Sequence, residues 1–285
     1  MVKEKVMKAV FFATACISIL EVGLICIFLF ANGMPGIREI GLFKFLFGTV
    51  WRPGNGDYGI LPMILGSLYV TAGAIIIGVP IGILTAAFLA QFCPAKWYPL
   101  IKAGVELMAG IPSVVYGFFG LVVIVPFVRN TVGGKGYSIL TASILLGIMI
   151  LPTIVNVSES AIRAVPKSYY EGSLALGATH ERSVYRMVLP AAKSGIFAGV
   201  ILGIGRAIGE TMAVIMVAGN QPAMRAPNEL LKGVCTLTAN IVIEMGYAQD
   251  LHRKALIATG VVLFVFILII NISFSLVKRK VVRES

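Results

Sequence analysis

Long apolar stretches constrain this chain more than any other feature of its sequence. A helix that crosses a lipid bilayer needs about 20 mostly apolar residues, and its backbone must satisfy its own hydrogen bonds. Hydrophobic residues make up 58% of the chain and charged residues 13%, whereas soluble domains carry about 25% charged residues. We therefore predict an all-α integral membrane protein with six transmembrane helices, in apolar windows at residues 9–31, 64–90, 109–128, 138–158, 195–219 and 255–277.

The first window is preceded by three lysines, as the core of a secretory signal would be. Its apolar run is longer than a signal core, and no small-residue cleavage site follows it. We therefore expect a retained helix. The four cysteines have no paired spacing of the kind that indicates a metal site or a disulfide framework.

Positive charge is distributed unevenly between the two sides of the predicted membrane. With the N-terminus inside, 14 of the 24 Lys and Arg residues fall in inner segments and 9 in outer loops, while Arg206 lies within a helix. Cytoplasmic loops of membrane proteins carry an excess of Lys and Arg, so both termini are predicted to be cytoplasmic. This asymmetry explains the net charge of +11 without a nucleic-acid partner.

No linker, low-complexity tract or internal repeat divides the chain, so we expect one membrane domain. Residues 1–63 would form an N-terminal transmembrane helix and an outer loop, residues 64–277 a transmembrane core, and residues 278–285 a basic cytoplasmic tail. Within the core, residues 159–194 form a long polar loop on the cytoplasmic side. A solvated connector is one interpretation, but ordered loops of this length are usually functional, which favours docking of a soluble partner.

One motif lies inside this loop. Glu171 begins a Glu-Gly-Ser segment, and Gly177 follows after three further residues. Nine residues then separate Gly177 from a Met-Val-Leu-Pro segment that ends with Leu189-Pro190. The segment resembles the coupling motif of ABC importer permeases, E-A-A, three residues, G, nine residues, I-x-L-P. Such a motif needs two short helices joined at a tight turn, and glycine can adopt the positive φ that this turn requires. We predict that Glu171, Gly177, Leu189 and Pro190 couple the chain to an ATPase, and we call residues 159–194 the coupling loop.

The fifth window carries a second signal, the charged residues Arg206 and Glu210. A charge at mid-bilayer depth costs about 2.5–3.5 kcal/mol and normally faces a protein interior or a water-filled path. Both residues fall with Gly195, Gly199 and Gly203 within a sector of about 80°, so we predict that they share one helix face and are able to pair. The pair would either fix helix packing or line an anion path, because Arg offers planar donors suited to phosphate oxygens.

Several other signals are weaker. Residues 54–59 match G-x-G-x-x-G, but no βαβ unit surrounds them, so a dinucleotide site is not expected. No G-x-x-x-x-G-K-[ST] motif occurs, so ATP would be hydrolysed by another chain. His180 and His252 are interpreted as lone surface residues, and Asn156 and Glu159 as ordinary residues of a membrane interface.

Four further segments narrow the interpretation: FGTVWRP at residues 47–53, YGILPMILGSL at 58–68, AGIPSVVYG at 109–117 and GRAIGET at 205–211. Together with the coupling motif they resemble the phosphate-specific transport (Pst) family, and its PstC-type permease more than its PstA-type companion. The resemblance implies a type I ABC importer permease fold in a bacterial or archaeal plasma membrane. It assigns the charged translocation residues to Arg206 and Glu210.

The same resemblance implies a set of partners. A PstA-type permease would complete a heterodimer, two copies of a PstB-type ATPase would bind ATP and Mg, and an extracytoplasmic phosphate-binding protein would deliver inorganic phosphate. This chain itself would be a transport subunit rather than an enzyme, would hold no cofactor, and would contact membrane lipid.

Two alternatives stay open at this point. A permease for another oxyanion, such as molybdate or sulfate, would carry the same coupling motif. An ion-coupled secondary carrier would explain the helices and the charges within the fifth window, but it would not need the coupling loop and usually shows an internal repeat. A membrane enzyme is less consistent with the sequence, which shows no convergent nucleophile, base or metal cluster.

Overall fold

The computed structural model describes residues 2–283, with side chains described for residue 3, residues 5–273 and Leu276. Within these residues five helices are long and apolar enough to cross a membrane, and a pair of helices bent by 68° adds a sixth span if it is counted as one. The prediction of a helical membrane protein is therefore confirmed, with five candidate spans, or the predicted six if this pair is counted. The five single spans are Lys5–Ile40, Leu61–Phe92, Ser113–Thr131, Ile139–Arg163 and Asp250–Ser273. In the bent pair, His180–Ala191 belongs to the polar loop of residues 159–194, and Lys193–Gly209 lies in the fifth apolar window.

We number the elements in chain order. The helices are α1 (Val2–Ile40), α2 (Leu42–Phe47), α3 (Leu61–Ala87), α4 (Tyr98–Gly110), α5 (Ser113–Phe119), α6 (Val125–Thr131), α7 (Ile139–Arg163), α8 (Lys167–Ala175), α9 (His180–Ser183), α10 (Leu189–Ala191), α11 (Lys193–Gly209), α12 (Met212–Val217), α13 (Leu237–Glu244) and α14 (Asp250–Arg283). Turns of π-helix at Phe88–Phe92, Gly120–Ile124 and Val184–Val188 extend α3, α5 and α9. A short antiparallel hairpin pairs β1 (Trp51–Arg52) with β2 (Asp57–Tyr58).

Helices α3, α7 and α11 form the centre of the fold, and glycines set their spacing. Ile154 of α7 is fully buried between the other two helices. A Cβ at Gly82 of α3, or at Gly203 of α11, would lie 2.8 Å from the Ile154 side chain. Gly78 and Gly199, one turn away on the same helices, approach α7 in the same manner. Small residues spaced by four allow helices to pack this closely in a membrane, so the glycine stripe of α11 is a packing surface.

Helix α1 lies at the periphery and packs along α14. Two glycines permit the contact, since a Cβ at Gly33 would lie 2.6 Å from Val261 and one at Gly36 would lie 2.9 Å from the carbonyl oxygen of Lys254. Most of the described side chains of α1 are exposed and apolar, as expected for a lipid-facing helix. The side chains of the basic tail predicted at residues 278–285 lie outside the described residues.

The fifth window is not the continuous helix that the sequence predicts over residues 195–219. Helix α11 ends at Gly209, Glu210 is extended (φ −71°, ψ 128°), and α12 begins at Met212. The break is stabilised locally, because the Glu210 carboxylate accepts a hydrogen bond from the Ala213 backbone N–H at 3.2 Å. The Thr238 hydroxyl also donates to the Glu210 carbonyl oxygen at 3.3 Å.

Residues 218–236 form an ordered non-helical segment beyond α12. The Val234 N–H donates to the Ala218 carbonyl oxygen at 2.9 Å, and the Ile139 N–H donates to the Lys232 carbonyl oxygen at 3.1 Å. These bonds fasten the segment to the beginning of α7. Helix α7 has 25 residues and is therefore about 37 Å long, so this segment and the coupling loop lie at opposite ends of the core.

Candidate functional site

Arg206 lies one turn before the end of α11 and is only partly buried. Its Nη1 donates to the Thr153 hydroxyl of α7 at 3.4 Å. Among the described residues no carboxylate forms an ion pair with it. A guanidinium in an apolar helix needs acceptors or water, and one hydroxyl satisfies only one of its five N–H groups. The described residues therefore leave part of the Arg206 guanidinium without an acceptor.

The prediction that Arg206 and Glu210 share a helix face and pair is wrong in this structure. Because the helix ends at Gly209, Glu210 leaves the helical path and its carboxylate caps α12 instead. Glu210 also lines a small polar cavity of about 10 Å³. The hydroxyl groups of this cavity come from α3 and from the start of α13: Ser67, Thr71, Thr236 and Thr238.

A charged network that the sequence analysis missed lies at the end of α7. The Glu159 carboxylate, only 2% exposed, accepts hydrogen bonds from Tyr98, Lys102 and Arg163, each at 2.8 Å. Lys102 also donates to the Asn156 side chain at 2.9 Å. Asn156 and Glu159 therefore belong to a network of hydrogen bonds and ion pairs, and they are not ordinary residues of a membrane interface. The i,i+4 spacing of Glu159 and Arg163 was a local signal for their pairing, but the contact with Lys102 on α4 left no such pattern in the sequence.

The Glu159 network is fastened to its surroundings on two sides. The Arg163 guanidinium donates to the Leu89 carbonyl oxygen at 2.8 Å and lies 4.5 Å from the centre of the Tyr98 ring. On α4, outside the spans, the hydrogen bond to Glu159 raises the pKa of Tyr98, with burial as a second cause. The phenol therefore stays protonated and remains a donor at neutral pH.

A basic cleft of about 770 Å³ lies at the opposite end of α7. Its charged lining consists of Lys135, Arg225 and Lys232. Arg225 is held in place because it donates to the Gly233 carbonyl oxygen at 3.1 Å and to the Gln221 side chain at 2.7 Å. The Lys232 ammonium also pairs with a neighbouring carboxylate, that of Glu229, and lowers its pKa. The lining of the cleft as a whole is cationic.

The coupling loop is built as the motif requires. Gly177 has φ +84°, which confirms the positive φ predicted for this glycine. The turn is a Schellman motif, because the Gly177 N–H donates to the Leu174 carbonyl oxygen at 2.8 Å and the Ala178 N–H donates to the Ser173 carbonyl oxygen at 3.2 Å. Thr179 then caps α9 through its hydroxyl, which accepts from the Arg182 N–H.

Side-chain contacts tie the two arms of the loop together. The Ser183 hydroxyl donates to the Ser173 hydroxyl at 3.1 Å, and the Tyr170 hydroxyl is hydrogen-bonded to Nδ1 of His180 at 2.8 Å. The His180 ring also packs against Phe92 at the end of the α3 span, with ring centres 4.8 Å apart. His180 is therefore not a lone surface residue, and it connects the loop to the transmembrane core.

The outer surface of the loop is open and partly apolar. Leu176 is 92% exposed, and Tyr169, Tyr185 and Met187 are also exposed. Among the four predicted coupling residues, Glu171, Gly177 and Pro190 are exposed and Leu189 is partly buried. Exposed apolar side chains grouped on a polar loop are typical of a surface that contacts another protein or the membrane.

His252 also has partners that the sequence does not indicate. Its Nε2 lies 2.7 Å from a Glu244 carboxylate oxygen, and the Trp51 indole N–H donates to the same carboxylate at 2.9 Å. The rings of Tyr58 and Tyr247 lie against the imidazole. This cluster ties the β1–β2 hairpin to α13 and α14, which suggests a structural role at that end of the protein.

Comparison with known proteins decides the family. The profile of the binding-protein-dependent transport system inner membrane component family matches residues 78–283. The chain belongs to this family. Its members are transport permeases rather than enzymes, so the sequence-based prediction of a membrane permease is confirmed.

Curated relatives extend the match over most of the chain. A Bacillus subtilis (strain 168) protein named "Probable ABC transporter permease protein YqgH" is 38% identical over 280 residues, covering 94% of this chain and 90% of the relative. The "Phosphate transport system permease protein PstC" of Mesorhizobium japonicum is 37% identical over 279 residues, covering 90% of this chain and 84% of the relative. The predicted resemblance to PstC-type permeases is confirmed.

Solved structures confirm the type I ABC importer permease fold. The inward-facing MetNI methionine ABC transporter aligns with a TM-score of 0.64 at 21% identity, covering 81% of this permease and 99% of that chain. A bacterial alginate ABC transporter, solved in complex with an alginate pentasaccharide-bound periplasmic protein, aligns with a TM-score of 0.60 at 15% identity, covering 96% and 97%. At these identities the comparison establishes the fold.

Proposed function

We propose that this permease is a subunit of an ATP-driven importer of inorganic phosphate and forms part of the path that the anion takes across the plasma membrane. The proposal is supported by the relative named for phosphate transport and by the cationic groups along the core. The proposal places the permease in the plasma membrane of a bacterium or an archaeon, and the two relatives named above are bacterial.

The observation that carries the proposal is the setting of Arg206. Its charge lies in an apolar span, is partly exposed, and has no carboxylate partner among the described residues. A guanidinium binds tetrahedral oxyanions through several N–H groups at once. A structural arginine at this depth would instead be expected to have its charge compensated within the chain. Glu210, which caps α12 beside Arg206, would keep the break in the span in a fixed geometry.

The proposal includes an orientation and partners. The coupling loop would face the cytoplasm, where Glu171, Gly177, Leu189 and Pro190 would contact one of two PstB-type ATPase subunits that bind ATP and Mg. Both termini would then be cytoplasmic. The basic cleft at the other end of α7 would face outwards, towards an extracytoplasmic phosphate-binding protein. A PstA-type permease would complete the path, and this chain itself would need no cofactor.

The direct test is uptake into vesicles that contain this permease with its companion permease and ATPase. ATP is enclosed, and the binding protein loaded with radiolabelled phosphate is supplied outside. We expect phosphate uptake that requires hydrolysable ATP and continues when an ionophore collapses ion gradients. Uptake driven by an ion gradient without ATP would overturn the proposal in favour of a secondary carrier.

Specificity is tested in the same vesicles with sulfate and molybdate, each with a binding protein that delivers it. We expect neither anion to be accumulated at a rate comparable to that of phosphate. Transport of sulfate or molybdate in place of phosphate would show that the coupling and fold assignments are sound but that the substrate is a different oxyanion.

A further inference from the structure

The last turns of α7 carry a row of polar side chains that faces cations from two other helices. Thr153 accepts a hydrogen bond from Arg206 of α11, and Asn156 accepts one from Lys102 of α4. Residues three apart lie on the same side of a helix and about 4.5 Å apart along its axis. Along the α7 axis, the Lys102 contact therefore lies about 4.5 Å from the Arg206 contact, on the side of the coupling loop.

Lys102 is placed to bind an anion as well as to hold Glu159. Its side chain is 21% exposed, whereas Glu159 behind it is 2% exposed. The ammonium has three N–H donors, and two of them are used by Asn156 and Glu159. Glu159 is also paired with Arg163, so one carboxylate compensates two cations and the cluster keeps a positive charge.

We propose that Lys102 is a second anion-contacting residue of the translocation path, which receives the oxyanion after Arg206 on the way towards the coupling loop. The inference rests on the proposed function and adds to it a residue on α4. Glu159 acts as a positioning residue, because it fixes the ammonium through one oxygen while Tyr98 and Arg163 occupy the other. The ligand is an oxyanion such as hydrogen phosphate, whose oxygens accept from the remaining N–H.

A purely structural role for Lys102 predicts a different result from an anion-contacting role, and two sets of variants distinguish the two roles. If Lys102 only compensates Glu159, any uptake that the Lys102→Gln variant loses should return in the double variant with Glu159→Gln, because the buried carboxylate is gone and the Arg163 side chain, whose charge remains, is 45% exposed. If Lys102 contacts the anion, both should lose phosphate uptake by about tenfold or more per assembled complex, as expected for loss of a charged hydrogen-bond donor. We expect the second pattern, with Lys102→Arg retaining most of the uptake.

Charge restoration gives an independent readout. In a background without the four native cysteines, Lys102→Cys should be nearly inactive, and aminoethyl methanethiosulfonate, which attaches an ammonium group, should restore uptake. The methyl reagent, which attaches no charge, should not. Lys96→Gln is the matched control, because Lys96 is an exposed lysine in the same stretch, and it should leave uptake unchanged.

The outcomes distinguish this inference from the proposed function. Normal uptake per assembled complex by Lys102→Gln, or full recovery in the double variant with Glu159→Gln, would overturn the role of Lys102 and leave the phosphate importer intact. Absence of ATP-dependent phosphate uptake by the unmodified complex would overturn both.

Discussion

Replacing Gly177 should destabilise the turn of the coupling loop, and the size of this effect follows from the backbone conformation alone. Its φ is +84°, and apart from Gly177 and its two chain neighbours no atom lies within 4 Å of the position that a Cβ would occupy. A side chain there would meet no steric clash with the rest of the chain, so the cost is conformational. Left-handed backbone costs a residue with a Cβ about 1–2 kcal/mol. Gly177→Val should therefore lower the population of the observed turn, relative to other conformations of the loop, by a factor of about 5–30.

Two matched variants isolate the turn from other effects. Gly177→Asn should be tolerated, because asparagine adopts the left-handed conformation more readily than other residues. Gly172→Ala also has open space around its Cβ, but it lies inside α8, where replacing glycine should stabilise the helix by about 0.5–1 kcal/mol. It should leave coupling intact.

The assay is the affinity of the ATPase for the permease, measured by titration in detergent, together with ATP hydrolysed per phosphate imported. We expect Gly177→Val to weaken association by about 5–30-fold and to lower uptake per ATP, while Gly177→Asn and Gly172→Ala behave like the parent. Equal affinity and equal coupling for the valine and asparagine variants would refute the argument that this turn docks the ATPase.

Three further predictions follow from other parts of the fold. Gly203→Ala should lower the melting temperature, because overpacking should cost about 1–3 kcal/mol of folding stability. Gly205→Ala should not lower it, since nothing lies within 4 Å of the Cβ position at Gly205. Equal melting temperatures for the two variants would contradict the packing of α11 on α7. Burial raises the pKa of Cys235 to about 12, so this thiol should resist alkylation at pH 8 until the protein is denatured, and rapid labelling of the native protein would contradict its burial. Asn55 and Ser168 are both exposed. In a cysteine-free background, an impermeant thiol reagent applied outside should label Asn55→Cys but not Ser168→Cys. Labelling of Ser168→Cys alone would show that the proposed orientation is inverted.

Much of the fold could be predicted from the sequence, because each span is an apolar run whose length is set by the bilayer. The turn at Gly177 was predictable as well, since the spacing of its motif leaves a glycine where a left-handed residue is needed. The exposure of Glu171 and Pro190 agrees with a docking surface, and their contact with an ATPase stays a prediction.

The pairing of Arg206 with Glu210 could not be predicted correctly from spacing, because the four-residue interval matters only if the helix continues. Here the Glu210 carboxylate finds an alternative partner in the Ala213 N–H, and the helix ends before it. Glu159 was missed for a related reason. Its partner Lys102 is 57 residues away in sequence, and no local pattern identifies a contact of that kind.

The proposed anion path depends most directly on the charge of Arg206, and one measurement tests it. The Arg206→Gln variant keeps a donor for Thr153 and removes the charge, so assembly with the companion permease and ATPase should be unchanged. We predict that phosphate uptake per assembled complex falls by about tenfold or more, and that Arg206→Lys recovers part of it. Uptake by a well-assembled Arg206→Gln complex at the normal rate would contradict an anion path past this residue.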